Sequence, residues 1–161
     1  MANKFSKAVG FIYKMPAFSQ QYLLTKLFCS QVKYAGTSKV KLHKVTSNEV
    51  ELSLANIKRV QNHIGGVHAV AASLLAESAT GIVFGMNVPD SHLPLLKSMT
   101  VNYNRRMQGG LKAVAKLSDE QVNEINSSEK GNILVPVTIT DESGEEPIEV
   151  MMHWAWTPKK R

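Results

Sequence analysis

The residue with the clearest chemical promise is Glu77, a lone carboxylate inside the apolar run Gly65–Gly81. A carboxylate in such surroundings is costly to bury unless a partner satisfies it. Desolvation raises its pKa toward the range useful to a general base. At the other end of the run, Gly65-Gly66 read as the start of a helix. Helix N-termini carry unpaired N–H groups and a partial positive charge, which can stabilise a developing oxyanion. Asn62 lies just upstream, where it can orient a water or a carboxylate. Each residue also has a plain structural reading. Glu77 can cap a buried face and pair with a lysine, Gly65 and Gly66 can mark a turn, and His68 can be a structural histidine bonded to backbone. Taken singly the plain readings are preferred; the combination carries more.

Such a set needs a frame. Between Gly65 and Gly81 the chain is rich in Ala and Leu, which predicts a helix of about four turns closed by Gly81. It is apolar on nearly every side and so belongs in an interior. Upstream, Phe5, Val9, Ile12 and Tyr13 fall at helical spacing until Pro16 stops the run. A second helix carries Tyr22, Leu23, Lys26, Leu27 and, near its end, Cys29, which reads as a small packed hydrophobe. Val40 and Leu42 then alternate with polar residues, Ser47-Asn48 turn, and Glu49–Leu54 alternate again, as in a hairpin. His43 falls on the polar phase. Further strands are expected at Ile82–Val88, Met99–Tyr103, Leu111–Leu117, Ile133–Thr140 and Ile148–Trp156. Ser118 and Gln121 suggest a capping box before a short helix with Val122 and Ile125. Asp141–Gly144 supply turn chemistry, and Trp154 and Trp156 share one packed face. The expected class is α+β, with a curved antiparallel sheet wrapped around one long apolar helix.

With 161 residues and 43% hydrophobic content, the chain reads as one domain, residues 1–161. No apolar stretch approaches the ~20 residues of a membrane span. The N-terminus has no signal-peptide pattern, and a cytoplasmic location is expected. A single cysteine excludes an intrachain disulfide and a cysteine-based metal framework. The net charge of +6 is uneven. Residues 1–60 hold 10 basic and 2 acidic side chains, and the rest hold 9 basic and 11 acidic. A basic half suits nucleic acid, an anionic surface or a phosphorylated ligand. The lysines are spread rather than clustered and no nucleic-acid motif accompanies them, so a solvated surface is the preferred reading.

The spacing Asn62-x-x-Gly65-x-x-His68-Ala69, with Glu77 nine residues after His68, resembles the hot-dog thioesterase signature. That signature is Asn-x-x-Gly-x-x-His-Gly followed by a helical Asp or Glu at the same distance. The chain is similar to the PaaI-like acyl-CoA thioesterases, and most of all to the DUF4442 type, which carries an extra N-terminal helical segment. Val135-Pro136-Val137-Thr138, Asp141-x-x-Gly144 and Trp154-x-Trp156 look like that family's last two strands. The resemblance covers residues 35–157 and leaves 1–34 as the helical extension.

It implies a thioester hydrolase acting on an acyl-CoA or acyl carrier protein, with no cofactor beyond the substrate and no metal. Glu77 matches the catalytic carboxylate, acting as base toward water or as nucleophile. Asn62 matches the asparagine that positions water or substrate. The Ala69 N–H matches the amide that polarises the carbonyl, and His68 supports that geometry. The resemblance further places Gly65 and Gly66 on the substrate side and Arg105-Arg106 near the CoA entrance, where guanidinium groups suit phosphates. Phe84, Met86, Met99 and Tyr103 are candidates for an acyl tunnel. It also implies a homodimer or dimer of dimers, with the site between subunits. Two positions depart from the pattern. Ala69 stands where Gly is common, and Gly81 stands where some relatives have Ser or Thr. A non-catalytic acyl-CoA-binding module is therefore the alternative. A dehydratase or hydratase ranks last, because His68 lacks a partner at the expected spacing.

Overall fold

In a computed structural model that describes residues 3–160, the chain opens with α1 (Lys4–Ile12), α2 (Ala17–Gln31) and α3 (Lys33–Ser38). Strands β1 (Lys41–Val45) and β2 (Glu49–Leu54) form the expected hairpin. A 3-10 turn at Lys58–Val60 leads to the central helix α4 (Ala69–Gly85). The rest is β3 (His92–Tyr103), β4 (Leu111–Lys116), α5 (Asp119–Ser127), β5 (Gly131–Val135), β6 (Val137–Asp141) and β7 (Ile148–Pro158). α5 begins with the anticipated capping box of Ser118 and Gln121.

Two antiparallel sheets result, in the orders β1-β2-β4-β6 and β3-β7-β5. They meet at Pro136. This residue has no N–H to give a ladder, so the single strand expected over Ile133–Thr140 splits there into β5 and β6. The Pro136 carbonyl accepts the Lys116 N–H at 3.1 Å, which keeps β4 attached across the break. One bent surface thus wraps α4, which touches β2, β3, β4, β6 and β7. This is the hot-dog arrangement. Phe84 from α4 packs against Trp154 and Trp156, with ring centroids 5.6 and 6.1 Å away.

The central helix differs from expectation at both ends. It starts at Ala69 with His68 as N-cap, while Gly65 and Gly66 lie in the preceding loop, Gly65 at φ 78°. It does not stop at Gly81. The run Ile82–Val88, expected as a strand, continues the helix to Gly85. Short apolar runs with β-branched residues suit either state, and enclosure by sheet on several sides favours the helix here. Gly81 serves packing instead. A Cβ there would lie 2.8 Å from the Trp154 ring. The indole is held in place by its N–H donating to Thr80 Oγ1 at 2.9 Å.

The two outer strands are treated differently. Along β1, the backbone N–H groups of Val45 and Leu42 donate to Tyr13 OH and Thr25 Oγ1, so the N-terminal helices cover that edge. The Asn3 amide donates to the Gly85 and Val88 carbonyls, fastening α1 to the end of α4. The opposite edge, β3, is 12 residues long. Its Leu93, Leu95, Met99 and Tyr103 are all more than 40% exposed. Cys29 is half-buried near the end of α2, and burial raises its thiol pKa. His43 is exposed between Gln21 and Ser53. No helix among the described residues is long and apolar enough to cross a membrane.

Candidate functional site

The loop before α4 is organised by Asn62. Its side-chain oxygen accepts the N–H groups of Ile64 and Gly66, each at 3.1 Å. Its backbone N–H donates to Gly66 O, and Gly65 N–H donates back to Asn62 O. The positive φ of Gly65 makes this tight return possible. Arg106, exposed, donates to Ile64 O at 3.1 Å from the far side of the same loop. Asn62, Gly65, Gly66 and Arg106 are therefore brought together. Arg105 is not with them. It pairs with Asp141 at 3.0 Å and also donates to Ser143 Oγ.

At the start of α4, four N–H groups lack intrahelical partners by geometry. His68 Nδ1 accepts from Val70, and His68 O accepts from Ala71 and Ala72. That leaves the Ala69 N–H as the first-turn donor without an acceptor among the described residues. Because Nδ1 is the acceptor, the His68 proton sits on Nε2, and this residue acts as a cap. The Ala69 carbonyl is held in turn. Tyr103 OH donates to it at 2.9 Å, Ser73 Oγ lies 3.1 Å from it, and the two hydroxyls are 2.9 Å apart. β3 is thereby tied to the helix start.

Glu77 lies two turns further along. It lines a cavity of about 160 Å³ with Tyr34, Val70, Ser73, Leu74 and Met99. Its carboxylate has no hydrogen bond or ion pair among the described residues, so the lysine partner of the plain reading is not found. Burial pushes its pKa above the ordinary carboxylate value. Ser73, four residues earlier, falls on the same helical face and lines the hollow, while its hydroxyl is taken up by the Ala69 carbonyl and Tyr103. Asn62 does not line this cavity, so within one chain the loop and the carboxylate form separate halves.

Of the tunnel candidates, Met99 lines the cavity and Tyr103 supports it, whereas Phe84 is fully enclosed core and Met86 is buried. Sequence reasoning missed Ser73 and Tyr34. The i, i+4 relation of Ser73 to Glu77 was available as a signal; Tyr34 depends on the unanticipated α3. Among the described residues, no group of three or more His, Cys, Asp or Glu is placed to hold a metal ion.

Comparison with known proteins agrees on the fold. A Pseudomonas aeruginosa protein, described as of unknown function and a probable thioesterase, superposes with a TM-score of 0.76 at 23% identity, over 90% of this chain and 97% of that one. A thioesterase from Haemophilus influenzae gives 0.69 at 13% identity, over 86% and 90%. Another thioesterase from P. aeruginosa, solved as a mutant, gives 0.68 at 15%, over 84% and 94%. Among curated proteins, none matches the sequence. The model of the DUF4442 family, a domain of unknown function, matches residues 20–156, and the chain belongs to that family.

Proposed function

We propose that this protein hydrolyses an acyl thioester, an acyl-CoA in the first instance, with Glu77 as the reacting carboxylate. The observation that carries the reading is the half-buried, unpartnered Glu77, raised in pKa by burial, whose side chain lines an open apolar hollow. It lies on the helix whose first N–H, at Ala69, is left without an acceptor. Fold-level similarity to proteins named as thioesterases supports the same class.

In the proposed reaction the thioester carbonyl accepts the N–H of Ala69 of the partner subunit, aligned with that helix's dipole, because within one chain Ala69 and Glu77 lie about 12 Å apart along α4. Glu77 takes a proton from water as the water oxygen attacks the carbonyl carbon. The C–S bond then breaks, and the departing thiolate takes up a proton. Direct attack by Glu77, with an anhydride hydrolysed afterwards, balances equally well. His68 sets the helix start. Asn62 shapes the loop and keeps amide N–H capacity for water or substrate, since its contact to Val67 O is long at 3.5 Å. The long open β3 edge, with its exposed apolar side chains, suits pairing with a second copy. Such a dimer would bring one subunit's Asn62 loop toward the other's Glu77.

The test is thiol release over a chain-length series of acyl-CoAs, beside Glu77→Ala and Glu77→Gln. Loss of about 10²–10⁴-fold is expected. Variants that turn over substrate as the parent does would sink the assignment. A second reading, binding without turnover, is favoured by Gly81: the space where some relatives carry a hydroxyl is filled by Trp154. Calorimetric binding of a non-hydrolysable analogue, together with no thiol release, would establish it.

A further inference from the structure

Along α4, the residues that keep some exposure are Ala69, Val70, Glu77, Gly81 and Gly85. The last three are spaced by four and share one face. The stripe floors two separate hollows set along one groove, with two consistent walls, and the Trp154 ring packs on Gly81. Met99 of β3 stands beside Glu77, and Pro94 of the same strand stands beside Gly81 and Gly85. Across the floor, Tyr34 of α3 flanks Glu77, while Phe28 and Val32 flank the two glycines.

The ends of the groove have opposite chemistry. Beyond Glu77, toward Gly85, lies a cleft of about 250 Å³ whose walls include Phe5, Leu27, Phe28 and Val32 and carry no charged side chain. In the other direction, Tyr34 and Val70 also line a cleft of about 290 Å³ with Ser38, Arg59 and Gln61. Ser38 is only 4% exposed, and its hydroxyl has no hydrogen-bond partner among the described residues. The hydroxyl oxygen still reaches solvent, so it is free to bond a polar group of a ligand lying in the cleft. Arg59 is exposed and uses Nη1 on Thr37 O at 3.2 Å, with its other donors unengaged among the described residues.

An acyl thioester has the same polarity: an apolar tail, a carbonyl, then a polar carrier arm. We propose that the acyl tail lies in the Gly81–Gly85 cleft, walled by the N-terminal helices, and that the carrier arm leaves past Tyr34 toward Ser38 and Arg59. This rests on the thioesterase reading and deepens it. It assigns a direction to the substrate, gives the N-terminal helices the task of setting chain length, and moves the carrier end away from Arg105. The occupant is an aliphatic acyl chain, because the cleft walls carry no charge and the cleft lies on the helix that carries Glu77, one to two turns further on. Each methylene buried there gains about fourfold in affinity.

Gly85 provides the test. A Cβ there meets nothing within 4 Å, and both Ala and Leu are better helix formers than Gly. Gly85→Leu therefore grows into the cleft without displacing the fold, and Gly85→Ala is the graded control. The ratio of kcat/KM for decanoyl-CoA to that for propionyl-CoA is expected to fall at least tenfold in Gly85→Leu and less in Gly85→Ala. Arg59→Ala is expected to raise KM several-fold at every chain length without altering that ratio. An unchanged ratio in Gly85→Leu overturns the tail assignment, as does an unchanged ratio with an altered oligomeric state, which would make the cleft a contact between copies. An unaffected KM in Arg59→Ala overturns the direction. Should the parent hydrolyse neither ester, calorimetry with a decanoyl-CoA thioether decides. Weaker binding in Gly85→Leu sustains the cleft even though hydrolysis has failed, and equal binding, or none in the parent, overturns it.

Discussion

Two carboxylates in this fold are withdrawn from water in opposite ways. Asp141, at the end of β6, has a side chain with 0% accessibility. Burial alone would raise its pKa. Hydrogen bonds from the Ser143 hydroxyl, the Gln108 N–H, Arg105 and the Ser143 N–H outweigh that and hold it at about 2. Glu77 is also shielded, but nothing among the described residues donates to it, and its pKa moves up. The donors around Asp141 come from the segment after β3 and from the β6–β7 turn, so that carboxylate is a joint between loops. Glu77 joins nothing. One acid is buried and fully satisfied and the other is half-buried and bare, and on the proposed function the bare one does the chemistry.

Removing each acid tests this contrast. The largest effect on rate is expected for Glu77→Gln, the 10²–10⁴-fold loss already given, with folding intact by circular dichroism. Asp141→Ala strands Arg105 and several backbone donors. It is expected to cost about 3–5 kcal/mol of stability in urea titration, with little change in turnover per folded molecule. If Asp141→Ala instead abolished turnover in folded protein, the division of labour would be wrong.

The pH dependence should run in opposite senses. Asp141 has a folded pKa below its ordinary 3.8. Its contribution is present above that value and disappears as pH falls through about 2. Acid unfolding should steepen in that window, and Asp141→Asn should flatten it. Glu77 has a folded pKa above its ordinary 4.5. Stability relative to acid is lost as pH rises through the folded value, so Glu77→Gln is expected to melt higher than the parent at pH 7.5, with the gap closing below about pH 4.5. The smallest effect is expected for Tyr103→Phe, which removes one hydroxyl steadying the Ala69 carbonyl. A loss of about tenfold or less in kcat, on the order of 1 kcal/mol, with KM nearly unchanged, would show that β3 helps place the helix start.

Much of this was legible in the chain itself. A charge in a run of Ala and Leu announces Glu77, because burying it without purpose is expensive. Alternation announced β1 and β2, and Ser118 with Gln121 announced α5. Other features carried no local signal. Ile82–Val88 has the β-branched content of a strand, and only the surrounding sheet makes it helix. Arg105 looked free for phosphate because its partner, Asp141, is remote in sequence. Pro136 stands within a strand pattern, although its missing N–H is what allows one segment to serve two sheets. Gly81 has the local look of a helix stop, and its reason lies in β7.

That last residue links two distant positions. Position 81 can take a Ser or Thr only if the indole of residue 154 withdraws, and withdrawal leaves the Thr80 hydroxyl without its donor. Acquiring a hydroxyl one turn after the carboxylate is therefore a joint change of at least two side chains. Gly81→Ser introduced alone should perform worse than either Trp154→Phe or the pair. Relatives with a hydroxyl at the place of Gly81 should accordingly carry something smaller than tryptophan opposite it, so that the two positions are inherited as a unit.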